Sequence, residues 1–101
     1  MHEAFDVTAT VREIRQLVYR SGWEARTDRS QHTRSVYLRV FRGYRQFTVR
    51  VSDHPPGRRH IRRRMICIHP GGHCRSDVEE AIRCGNIDHI TPIALLTAKT
   101  A

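Results

Sequence analysis

The strongest constraint on the fold lies between Ser35 and Val51. Val36, Leu38 and Val40 alternate with Tyr37, Arg39 and Phe41, and Phe47, Val49 and Val51 alternate with Thr48 and Arg50. A period of two puts the aliphatic side chains on one face of an extended ribbon, and a slip of one residue would turn all of them to water. With Arg42-Gly43 as the turn, the segment is a hairpin that needs an apolar partner on one side only. Its other side carries Tyr37, Arg39, Phe41, Tyr44, Thr48 and Arg50, a mixture of aromatic and basic groups.

Two amphipathic helices are the expected partner. Val11, Ile14 and Val18 share one face of a helix from about Thr10 to Ser21, with Thr10 and Glu13 as its capping box and Gly22 as its stop. Arg12, Arg15 and Arg20 fall off that face and read as solvated. Ser76 with Glu79 marks a second helix, in which Val78, Ala81 and Ile82 form the stripe and Gly85 the end. Trp23 and Ala25 predict a short strand, and Thr27 to Arg34 a loop. Asp53-His54-Pro55-Pro56-Gly57 is a second loop, because proline cannot donate to a ladder. Ile61 to His69 reads as a buried strand closed by Pro70-Gly71-Gly72. The pattern therefore predicts one α+β domain over residues 1–101, in the order α-β-β-β-β-α. An antiparallel sheet of three to four strands carries both helices on one face, and residues 86–101 form a loosely packed tail.

Charge narrows the partners. The chain has 18 basic and 10 acidic residues, a formal net charge of +8, and Lys99 is its one lysine. Arginine binds phosphate through a planar fork of donors and stacks on bases, so a surface built from it points to a polyanion, RNA ahead of DNA. Cys67, Cys74 and Cys84 are odd in number and no apolar leader opens the chain, which predicts a cytoplasmic protein without disulfides. No apolar run reaches the roughly 18 residues of a membrane span.

The stretch Arg12-Glu13-Ile14-Arg15-Gln16-Leu17-Val18-Tyr19-Arg20-Ser21-Gly22-Trp23 resembles the opening helix and Gly-aromatic end of the HicA family of small messenger-RNA-cleaving toxins. Ile66-Cys67-Ile68-His69-Pro70-Gly71-Gly72 and Ser76 to Arg83 resemble that family's closing strand, turn and final helix. The resemblance covers about a third of the chain and implies a double-stranded-RNA-binding-like fold. It places the family's catalytic Gly-Ser-His on Ser30-Gln31-His32, where the glycine is missing and Gln31 intervenes. His32 is thereby the candidate catalytic residue of a metal-independent ribonuclease.

Arg58, Arg59, Arg62, Arg63 and Arg64 surround His60 and Ile61 beside a Pro-Gly turn and are the densest candidates for phosphate contact. Tyr37, Arg39, Tyr44 and Arg50 add a face on which unpaired bases can stack. Cys67, His69, His73, Cys74 and Cys84 have ligand chemistry but no established zinc spacing, so no metal and no cofactor are expected. The leading expectation is an RNA-binding module. The alternatives are a HicA-like ribonuclease and a small regulator, of the kind phages and mobile elements encode, that binds an acidic protein surface.

Overall fold

The computed structural model describes residues 5–28, 35–57 and 64–99. The elements run α1 (Val7–Arg20), β1 (Glu24–Thr27), β2 (Val36–Arg42), β3 (Arg45–Val51), β4 (Ile66–Ile68), α2 (Arg75–Cys84) and α3 (Ile93–Lys99). The α+β class and the alternation of the hairpin are as the sequence predicts. The four strands form one sheet in the order β1-β2-β3-β4. β1, β2 and β3 pair antiparallel, with Ala25 opposite Val40 and Val40 opposite Phe47. β4 instead joins β3 in parallel, Arg50 opposite Cys67, so the sheet is mixed at that edge. β4 is also shorter than expected: Arg64 and Met65 precede it without regular structure, and Ile61 lies outside the described residues.

One face of the sheet carries the main core. Leu38, Val40, Phe47, Val49, Val51, Ile66 and Ile68 meet Ile14 and Val18 of α1 and Val78 and Ala81 of α2. Trp23 packs its ring on Phe47, centroids 5.7 Å apart. Arg15 departs from the solvated reading. Its guanidinium donates to the Ala25 carbonyl at 3.1 Å and to Thr27 Oγ1, and the Tyr19 hydroxyl donates to the same carbonyl. These donors occupy a carbonyl of the edge strand β1, which would otherwise be open to pairing with another chain.

The opposite face is covered at one end only. Across three strands Tyr37, Arg50 and Cys67 stand in register, and Ile93 and Leu96 of α3 close over that end together with Met65. The C-terminal segment is therefore not uniformly loose, since Ile90 joins the main core and Ile93 the smaller one. Among the described residues, no helix is long and apolar enough to cross a membrane.

Both helix starts differ from the expected capping boxes. Asp6 caps α1, its Oδ1 accepting from the Ala9 N–H at 2.9 Å, while Thr10 lies inside the helix and donates back to the Asp6 carbonyl. Cys74 is the N-cap of α2, and its N–H donates to Asp77 Oδ2 at 2.8 Å. In each case the true start lies upstream of the hydroxyl residue that matched the pattern; in α1 the added turn brings Val7 onto the core, whereas the first residues of α2 are exposed. Asp6→Ala should lower stability by about 1 kcal/mol, the usual value of a cap. Thr10→Ala should change it by less than about 0.5 kcal/mol, as for a surface substitution. Urea unfolding of the two variants checks the assignment.

Candidate nucleic-acid interface

Beyond the end that α3 covers, the outer face of the sheet is open. Arg26 of β1 and Arg39 of β2 are direct cross-strand neighbours, and both guanidiniums lie over the Phe41 ring, 5.7 and 5.6 Å from its centroid. Among the described residues neither pairs with a carboxylate. Like charges set directly opposite one another destabilise a sheet, and the ring's negative π-face offsets only part of that cost. Gln46 and Thr48 continue the same rows on β3.

Arg39, Gln46 and Thr48 also line an open groove of about 430 Å³, whose far wall is Arg64 with Asn86, Ile87 and Asp88. Arg64 is held there by a 3.0 Å hydrogen bond to the Ile87 carbonyl and a 3.5 Å ion pair with Asp88. At the hairpin tip Tyr44 is 90% exposed, with Arg45 stacked 6.0 Å from its ring centre. The structure thus brings Arg39 and Arg64 to one groove and places Tyr44 apart from them on the turn. Arg26 and Phe41 complete the platform. Arg26 was legible only as one arginine of a short strand, and its role depends on the β1–β2 register.

Two residues expected on this surface lie at its covered end, Tyr37 half-buried and Arg50 buried. Tyr37 packs against the smaller core beneath α3. Arg50 is only 3% exposed, and its guanidinium donates to the His54 carbonyl at 3.0 Å and to Ser35 Oγ at 3.3 Å. Alternation assigned both to the correct face but could not show that α3 covers their end of it. His32, Arg58, Arg59, Arg62 and Arg63 lie outside the described residues.

Around Arg50 the strand ends gather a polar cluster. Ser35 and Ser52 share a 2.9 Å hydrogen bond, and His54 Nδ1 stands 3.0 Å from Ser52 Oγ and 2.7 Å from the Asp53 carboxylate. His69 Nδ1 lies 2.9 Å from the Pro70 carbonyl, which can only accept, so the neutral ring carries its proton there. Its Nε2 is buried without a partner. Gly72 makes that burial possible: a β-carbon there would stand 2.5 Å from Nε2 and 2.6 Å from the Cys67 carbonyl oxygen. His73 has the opposite tautomer, accepting at Nδ1 from the Cys67 N–H and donating from Nε2 to the Thr91 carbonyl at 2.6 Å. Ser35, Arg50, Ser52 and His69 are buried in this cluster, and His54 is exposed at its rim.

No known family model, curated protein or solved structure matches this chain.

Burial lowers the His69 pKa below its ordinary 6.5; the hydrogen bond to Pro70 opposes this, and the nearby Arg50, His73 and His54 charges add to it. A histidine depressed in the folded state takes up its proton more readily when unfolded. Its stability contribution is complete above the unfolded pKa of 6.5 and is lost as pH falls from there through the folded value. The denaturation midpoint should therefore fall as the buffer is taken from about pH 8 to about pH 5. His69→Gln should flatten that slope, and a slope unchanged in the variant would assign it to other groups.

Proposed function

We propose that the protein binds RNA on the open rows of its sheet. The observation that carries this reading is the Arg26–Arg39 pair, two guanidiniums opposite each other on one aromatic ring with no carboxylate partner among the described residues. Phosphates neutralise such a pair and release condensed counterions on binding. The Phe41 edge and the exposed Tyr44 suit unpaired bases, which every single strand offers and a closed duplex does not. This favours single-stranded or looped RNA, with DNA second. Three cysteines without a disulfide support a reducing, cytoplasmic setting.

The test is fluorescence anisotropy with single-stranded RNA, duplex RNA, duplex DNA and a polyglutamate competitor over a salt series. Arg26→Ala with Arg39→Ala should reduce the log–log salt slope for single-stranded RNA by about 1.4, or about 0.7 for each phosphate no longer neutralised. Phe41→Ala should weaken binding by about 1–3 kcal/mol with little change in slope, since it removes stacking and not charge. An unchanged slope in the double variant would overturn the reading. Competition by polyglutamate alone would move the interface to an acidic protein, and EDTA-resistant shortening of the RNA would make the protein a nuclease.

A further inference from the structure

The end of α2 holds a cluster that RNA binding does not use. Glu80 and Cys84 stand one turn apart on the helix, and His89 returns to them from the turn that follows. One ligating atom of each lies within 4.8 Å of the other two. Glu80 Oε1 is 3.7 Å from His89 Nε2 and 3.8 Å from Cys84 Sγ. A tetrahedral zinc ion, with Zn–N and Zn–O of about 2.0–2.1 Å and Zn–S of about 2.3 Å, holds its ligands about 3.3–3.6 Å apart. The two separations from Glu80 exceed that spacing by a few tenths of an ångström, and Cys84 and His89 lie within 4.8 Å of each other.

Their placement follows from the core. Gly85, at φ 80°, ends α2, and the turn behind it is closed by Asn86 Oδ1 accepting from the Asp88 N–H at 3.1 Å and by an Ile90 N–H to Ile87 carbonyl bond of 3.0 Å. Ile87 and Ile90 both pack into the main core, one on each side of His89. Glu80 and Cys84 lie at the C-terminal end of the helix, where the unsatisfied carbonyls favour a cation. The second carboxylate oxygen of Glu80 is held by Arg83, an outer partner of the kind that fixes a ligating carboxylate.

We propose that Glu80, Cys84 and His89 form a binding site for one zinc-class divalent ion, with solvent at the fourth position. A thiolate, an imidazole and a carboxylate select a borderline-soft metal over magnesium or calcium. The spacing Glu-x3-Cys-x4-His matches no zinc-finger pattern, which is why sequence spacing gave no metal. The site ties the 86–90 turn to α2, and the core packs without it.

The reduced, metal-free, full-length protein is titrated with cobalt(II), whose thiolate charge-transfer and tetrahedral visible bands report the site. The bands should saturate at one equivalent and be displaced by zinc. His89→Ala should weaken cobalt binding by more than about tenfold and Cys84→Ser should abolish the charge-transfer band, while Cys74→Ser leaves it intact. A thiol reagent gives an independent readout. Cys74 and Cys84 are exposed, whereas burial pushes the Cys67 thiol up to about 11 against the opposing Arg50 charge. Two thiols should therefore react in the native protein and only one after zinc is added. Far-UV circular dichroism checks that each variant is folded. Absence of the charge-transfer band in the parent protein, its survival in Cys84→Ser, or zinc that fails to shield a thiol would overturn the proposal.

Discussion

The architecture depends on a buried guanidinium. Arg50 sits mid-row between Tyr37 and Cys67; its two terminal nitrogens donate to the His54 carbonyl after β3 and to Ser35 Oγ before β2, while its Nε is buried without a partner. A buried cation is tolerated only where fixed oxygens replace its water. That requirement joins the beginning of one strand to the end of the next and brings the Ser35–Ser52 bond into the same interior. β4 runs parallel to β3 and sets Cys67 beside Arg50, and α3 packs over that end through Ile93 and Leu96. The apolar contacts of α3 divide the outer face into a covered and an open end.

The histidines beyond that row show how one residue type takes separate duties from its neighbours. His73 spends both nitrogens on backbone groups and fastens β4 to the segment before α3. His69 spends one, and keeps the other bare under Gly72. Sequence presents the two as equivalent members of a His-rich turn. Only the carbonyl or N–H that each nitrogen meets distinguishes them.

Much of the fold was legible. The Val36–Val51 alternation, the Ile14–Val18 face and the Val78–Ala81 stripe are periodic signals generated by the buried face itself, and they survive in the sequence because burial imposes them locally. The parallel pairing of β4 and the docking of α3 were not legible, since both depend on contacts between distant segments. The helix starts were displaced as well: Thr10 and Ser76 matched the cap pattern, whereas the first turns begin from Asp6 and Cys74. On the candidate interface, Arg39 and Tyr44 were readable as exposed members of the hairpin. Arg50 and Tyr37 belonged to the same alternating set, but a helix far downstream packs over their end of the face, where Arg50 is buried and Tyr37 half-buried.

The helix α3 has a geometric consequence for any strand of nucleic acid laid on this face. The open rows cross β1, β2 and β3, three strands about 4.8 Å apart, so the platform from Arg26 to Thr48 is about 10 Å wide between outer backbones. On one side it is bounded by the wall of Ile93 and Leu96. A nucleic acid bound as proposed would meet that wall on one side of the platform and open solvent toward the hairpin tip, where Tyr44 is exposed.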